Sequence, residues 1–194
     1  TGWGRGDFGR NACGTSRDDP VRSLDSVESR DPENPALTSM NFRILHYRTL
    51  DSTNNLALRL AREGAAEGVV VVSDFQTRGR GRFKRRWFSP RGKGLLFSII
   101  LRPRLKTSSA SILTHVAAQA VRDTLNHRFD LPGKLKRPND VLVNGKKIAG
   151  ILTESSGNHR GLDYVVVGIG LYVYTGRRGV VRNATSIGVE TGAC

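Results

Sequence analysis

Between Gln76 and Pro90 three arginines, Arg78, Arg80 and Arg82, alternate with Gly79 and Gly81, and Arg85 and Trp87 follow. Glycines let a backbone curl until its N–H groups face an anion. Guanidinium groups offer bidentate donors to phosphate or carboxylate. An Arg/Gly segment can equally be flexible and solvated, or bind RNA. Trp87 can stack on a purine, although a tryptophan is more often a core residue.

Three further segments carry candidate chemistry. Lys136 stands just before Arg137-Pro138-Asn139-Asp140. A lysine held on a strand is a fixed point charge, and a nearby Asp is a ligand for Mg²⁺. Read alone, Pro-Asn-Asp is turn chemistry. Gly168 and Gly170 interrupt a valine-rich strand, which implies either a bulge or a close approach to the backbone. Asp51-Ser52-Thr53-Asn54 opens a helix. Capping accounts for it, and free hydroxyls at a helix N-terminus also suit a polar ligand group.

The elements that must position these residues follow from the patterning. Asn41–Leu50 reads as a strand. Leu56, Ala57, Leu60 and Ala61 form the stripe of a helix ending at Gly64. Gly68–Phe75, with four consecutive valines, is a buried strand. Residues 76–93 form a long loop, a length that usually signals function. Gly94–Arg102 is a strand. Ser109–Phe129 is a helix whose expected inner face is Ile112, Val116, Ala120 and Leu125. Asp140–Val143 and Lys146–Glu154 flank Asn144-Gly145, a strong hairpin signal. Asp163–Val173 is the last strand. The order β-α-β-β-α-β-β-β predicts an α+β domain with a mixed, mostly antiparallel sheet and flanking helices.

The chain has 194 residues and a net charge of +14. Residues 1–39 sum to −2, which leaves +16 on the remainder, densest at Arg78–Arg86. That distribution favours a local anion site over an evenly charged nucleic-acid face. Residues 1–39 lack an apolar period and are expected to be a disordered or non-native leader, with Met40 as a candidate start. Residues 40–194 are expected to be one catalytic domain. No helix-turn-helix pattern precedes Met40, so no specific DNA binding is expected. The apolar runs are far short of the roughly 20 residues that span a bilayer, so no membrane role is expected. Cys13 and Cys194 make no disulfide framework, and a reducing cytoplasm is the expected compartment.

Taken together, GRGRFKRRWFSPRGKGL, KRPND, KIAGILTE and VVGIG, in this order and spacing, resemble the catalytic domain of biotin–protein ligases from about Met40 to Gly192. The resemblance implies a fold related to class II aminoacyl-tRNA synthetases. It implies biotin and ATP as substrates with Mg²⁺, a biotinyl-adenylate intermediate, and transfer to a lysine of a biotin carboxyl carrier domain of a carboxylase. It leaves room for a homodimer. It places Ser52, Thr53, Asn54, Gln76 and Gly150 on biotin, and Arg80, Gly81 and Arg82 in a loop closing over biotin and the adenylate phosphate. Lys136 then touches the biotin carboxylate and the phosphate, so Lys136 and Arg82 are the catalytic candidates. Arg85, Trp87, Asn139, Gly168 and Gly170 fall at the nucleotide, and Asp140 at Mg²⁺. Three positions depart from the pattern: Arg137 replaces a usual tryptophan, Lys84 a glycine, and Tyr172 an asparagine that helps place the nucleotide. Members of such a family continue with further helical sequence and often a small C-terminal β-barrel, a domain that residues 40–194 are expected to lack. The alternatives are a lipoate or octanoyl ligase of the same fold, and a basic nucleic-acid-binding domain, whose binding would fall steeply with salt.

Overall fold

A computed structural model describes the backbone of residues 22–28 and all of residues 41–176 and 183–193. Its strands are β1 (Arg22–Glu28), β2 (Asn41–Tyr47), β3 (Val69–Ser73), β4 (Gly94–Leu101), β5 (Lys134–Lys136), β6 (Asp140–Val143), β7 (Lys146–Asn158) and β8 (Gly161–Tyr172). The helices are α1 (Thr53–Arg62), α2 (Ala110–Phe129) and α3 (Ile187–Thr191). All eight strands join one sheet in the order β1-β2-β3-β4-β8-β7-β6-β5. Among the described strands only β2 and β3 run parallel, with α1 as their crossover. The α+β class, the mixed, mostly antiparallel sheet and the flanking helices are as the patterning predicts.

The two larger helices cover opposite faces. Successive residues of a strand point to opposite sides. On β8, Tyr164 and Val166 join a core with Leu56, Ala57 and Ala61 of α1. Val165 and Val167 join a second core with Ala118 and Leu125 of α2. A strand packed on both faces reads as a continuous apolar run, which explains the valines of β8. The face toward α1 also carries Gly168 and Gly170 of β8, and the site forms there. The β6–β7 turn holds Asn144 at φ +49° and Gly145 at φ +75°. Positive φ at both central residues is the turn geometry that the Asn-Gly pair selects.

The structure departs from the patterning at two places. Strand β1 pairs antiparallel with β2, from Arg22 opposite His46 to Glu28 opposite Asn41, with a register shift between Leu24 and Val27. It lies inside the segment expected to be disordered. Its sequence, Arg-Ser-Leu-Asp-Ser-Val-Glu, is polar and short, and the partner strand supplies its hydrogen bonds, so no apolar period marks it. The rest of the expected leader, including Cys13 and Met40, lies outside the described residues, as does Cys194. The inner face of α2 is also different. Ile112 is 54% and Val116 51% exposed, and Ala120 is exposed as well. The inner stripe is Ala118 and Leu125, which are buried, with the partly buried Leu113, Ala117 and Val121 packed beside them. Apolar residues lie all round this helix, so two stripes fit the 3.6-residue period and only the tertiary partner chooses between them. Among the described residues, no helix is long and apolar enough to cross a membrane.

Candidate active site

The N-terminus of α1 is buried in the face it shares with the sheet. Ser52 stands at the N-cap, but its side chain makes no capping hydrogen bond. The side chain of Gln76 takes that role from outside the helix. The Thr53 backbone N–H donates to Gln76 Oε1 at 2.7 Å, and the Thr53 hydroxyl lies 3.2 Å from the same oxygen. Ser98, fully buried on β4, bridges Thr53 Oγ1 at 2.8 Å and Asn54 Oδ1 at 2.6 Å. Asn54 Nδ2 donates to the Leu152 carbonyl at 3.2 Å and to Glu154 Oε2 at 2.9 Å. The amide of Asn54 is therefore partnered on both ends within the protein.

The loop after Gln76 folds back as a small hairpin. Trp87 N–H donates to the Gly79 carbonyl at 2.9 Å and Gly81 N–H to Arg85 O at 2.8 Å. Its tip carries two non-glycine residues in the left-handed region, Phe83 at φ +54° and Lys84 at φ +60°. The second is where the resembling family uses glycine, the residue that this backbone favours. Arg80 tethers the hairpin by an ion pair to Glu154 and a hydrogen bond to Asn55 Oδ1. Arg82 lies over the Phe83 ring, 5.0 Å from its centroid.

Glycines form the floor under Trp87. Gly150 of β7 stands opposite Gly170 of β8. A Cβ on Gly170 would come within 2.3 Å of the indole, and one on Gly150 within 2.9 Å. A Cβ on Gly168 would meet Asn54 Oδ1 at 1.8 Å. The close approach expected at Gly168 and Gly170 is thus made by this chain's own Asn54 and Trp87. Tyr172 stacks on Trp87 with centroids 4.8 Å apart and planes 18° from parallel. Its hydroxyl donates to Phe88 O at 3.0 Å, and burial pushes its pKa up to about 12. Trp87 Nε1 is buried without a hydrogen-bond partner.

On the far side, Lys136 ends β5 at the sheet edge. Asn139 is strapped to β7, its Nδ2 donating to Ile151 O at 2.8 Å. Asp140 Oδ1 accepts from Lys147 Nζ at 2.6 Å, and the same ammonium sits 5.4 Å from the centroid of the Trp87 ring.

These parts enclose a cavity of about 390 Å³. It is lined by every residue that the resemblance places at a ligand, namely Ser52, Thr53, Asn54, Gln76, Arg80, Gly81, Arg82, Arg85, Trp87, Lys136, Asn139, Asp140, Gly150, Gly168 and Gly170, whereas Arg78 and Gly79 line a neighbouring hollow on the other side of the hairpin. Arg86, Arg137 and Lys147 also line it, so seven lysines and arginines face one carboxylate, Asp140. A cavity with that balance suits a polyanion. Among the described residues, no carboxylate lies within ion-pair distance of Lys136, Arg82 or Arg85. No group of three or more His, Cys, Asp or Glu side chains that could hold a metal occurs among them either. Sequence reasoning missed Ser98 and Glu154, which touch the candidate residues from behind. A serine inside the apolar run of β4 is the one signal that could have found the first. Glu154 closes the strand read over Lys146–Glu154 and carries no local signal of its role.

Residues 45–171 match the model of the Biotin/lipoate A/B protein ligase family. The chain is 40% identical over 134 residues to the bifunctional ligase/repressor BirA of Bacillus subtilis, covering 69% of this chain and 41% of that protein. It is 44% identical over 123 residues to the biotin–[acetyl-CoA-carboxylase] ligase of Paracoccus denitrificans, covering 62% of this chain and 50% of that protein. Among solved structures, a biotin protein ligase from Aquifex aeolicus in complex with biotin and ATP superposes with a TM-score of 0.64 at 33% identity, covering 77% of this chain and 61% of that one. The chain thus spans about half the length of the curated relatives it matches. With more than half of its residues under that family model, the chain belongs to the biotin/lipoate A/B protein ligase family.

Proposed function

We propose that this chain is the catalytic domain of a biotin–protein ligase, which activates biotin with ATP and transfers it to a lysine of a biotin carboxyl carrier domain. One observation carries the reading most. Four segments far apart in sequence meet around a single cavity in which seven cations face one carboxylate. Three relatives at 36–44% identity are named as ligases, and the two of them named for a substrate are named for biotin, which favours biotin over lipoate.

The chemistry asks for such a cavity. A biotin carboxylate oxygen attacks the α-phosphorus of ATP, the bond to the β-phosphate oxygen breaks, and pyrophosphate leaves. The two reactants are anions and repel. Fixed cations offset that repulsion as charge builds on the transferring phosphoryl group. Lys136, Arg82 and Arg80 take that role in this reading, with Arg85 toward the nucleotide phosphates. The hydroxyls of Ser52 and Thr53, with Gln76, take the polar ureido end of biotin, and Gly150, which makes room for the Trp87 indole, lines the cavity beside them. Trp87 packs near the adenine, and Asn139 holds the Lys136–Asp140 segment in place beside it. The carrier lysine then attacks the acyl carbon and releases AMP. Until it does, the mixed anhydride needs shelter from water, and the hairpin at Gly79–Trp87 is placed to give it.

Asp140 is the one acidic residue lining the cavity, and it is held by Lys147. A single carboxylate fits Mg²⁺, which takes most of its ligands from phosphate and water. When bound with ATP, the ion would neutralise the departing pyrophosphate. We also infer a reducing cytoplasm from the cysteine usage, and leave open whether the chain pairs with a second copy.

Biotin-dependent pyrophosphate release from Mg-ATP, with Lys136→Ala as control, tests the reading. Release that the substitution abolishes upholds it. Release driven by lipoate or octanoate and not by biotin overturns it. Salt-sensitive binding to random nucleic acid, with no pyrophosphate release, favours the nucleic-acid alternative.

A further inference from the structure

We infer that Glu154 is a positioning residue that latches the arginine hairpin onto α1 and thereby sets the affinity for biotin; the part concerning biotin rests on the function proposed above. Glu154, within strand β7 and opposite Val166 of β8, touches two elements that are remote in sequence. Its Oε2 accepts from Asn54 Nδ2 at 2.9 Å, and its Oε1 accepts from Arg80. Arg80 in turn reaches Asn55 Oδ1, on the next residue of the same helix. One side chain therefore ties the first turn of α1 to the base of the hairpin.

The chemistry of this position admits one kind of group. Two donors face it, an amide NH₂ and a guanidinium, and only an ionised carboxylate accepts at both oxygens. A glutamine would present its own NH₂ to one of them. The Asn54 end is fixed independently. Its Oδ1 accepts from Ser98, which is fully buried, and its other amide hydrogen goes to Leu152 O. Gly168 leaves just enough room for this amide. Asn54 thus cannot turn to follow the hairpin, so Glu154 holds Arg80 against a rigid post. Charge-assisted hydrogen bonds are the strong kind. The hairpin makes few other side-chain bonds to its surroundings. Arg86 to the Thr77 carbonyl, at 3.2 Å, stays within the loop itself.

Trypsin cleaves after arginine and lysine, so the hairpin at Arg78–Arg86 reports its own opening without any ligand. The experiment compares the wild-type chain with Glu154→Ala, Glu154→Gln and Ser98→Ala. It reads the rate of tryptic cleavage within residues 78–86, the KM values for biotin and for ATP, and kcat. For Glu154→Ala we expect cleavage and the biotin KM each to rise about tenfold, the scale of a lost charged hydrogen bond, and kcat to fall as well, because Arg80 is one of the cations set against the transferring phosphoryl group. Glu154→Gln, which keeps one of the two bonds, should fall between. Ser98→Ala should raise the biotin KM without accelerating cleavage as much, because it loosens the post and leaves the latch. Unchanged cleavage and unchanged biotin KM in Glu154→Ala, with only a lower melting temperature, overturn the proposal. Faster cleavage in Glu154→Ala together with no biotin turnover in the wild type upholds the latch and overturns the ligase reading instead.

Discussion

The floor of the cavity and the hairpin over it differ in how their polar groups are partnered. Ser52, Thr53, Asn54 and Ser98 are all buried, and a continuous chain of hydrogen bonds links Gln76, Thr53, Ser98 and Asn54 to Glu154. The hairpin is open to solvent. Phe83 at its tip is 79% exposed, and two residues there sit in a backbone conformation that favours glycine. The floor is organised before any ligand arrives, as a site that must discriminate one neutral polar group requires. Apart from Arg80, which Glu154 pairs, the hairpin's cations Arg82 and Arg85 have no carboxylate within ion-pair distance among the described residues, and an anion in the cavity would supply the countercharge. One cavity thus combines a rigid half for recognition with an adaptable half for a charged reaction.

The comparison can be broken at several points. The largest effect belongs to Lys136→Ala. Biotin-dependent pyrophosphate release should fall about 10²–10³-fold, as when a preorganised donor is removed from a developing charge, while calorimetry still detects biotin on the intact floor. Gly168→Ala strikes the rigid half. Its Cβ would meet Asn54 Oδ1, and overpacking of this kind costs about 1–3 kcal/mol, measurable as a lower midpoint in urea. Tyr172→Phe separates two properties of the wall beside Trp87. The tyrosine pKa rises from 10.0 to about 12 on burial, so the folded state holds its proton more tightly than the unfolded one. Stability from this group is present below pH 10 and is lost between pH 10 and 12. That alkaline fall should shrink in the phenylalanine variant, and an identical fall in both proteins would refute the assignment. Lys84→Gly should have the smallest effect. Relief of left-handed strain, about 1 kcal/mol, is offset by the extra chain entropy of glycine, about 0.4–1 kcal/mol. An unchanged urea midpoint would agree with a hairpin that contributes little to the fold, and a large change would contradict it.

Much of the site was legible because its residues are local signals. Arg80, Gly81, Arg82, Trp87, Lys136 and Asn139 lie in compact, unusual runs, and all line one cavity. Glu154 and Ser98 were not legible, because their roles depend on what β7 and β4 face across the sheet. The same distinction holds for the fold. The Asn144-Gly145 turn is encoded in two adjacent residues. The choice between Ile112–Val116 and Leu113–Ala117 as the inner face of α2 is made by β7 and β8, which lie far along the chain. Strand β1 is held by backbone pairing with β2, and such pairing leaves little trace in side-chain pattern. Gly168 and Gly170 announced a close approach, but only the folded chain shows that Asn54 and Trp87 make it.

The long seam between β4 and β8 has a consequence for how the chain reaches this state. It runs from Gly94 opposite Tyr172 to Leu101 opposite Val165. It therefore joins segments some seventy residues apart and brings Ser98 beside Gly168. Pairings of such sequence separation close late and slowly. Until this one closes, the polar floor has no wall and, on the proposed function, biotin has nothing to bind. Recovery of biotin binding during refolding should lag behind helix formation, and biotin present throughout should protect the whole domain, not just the cavity, against thermal unfolding.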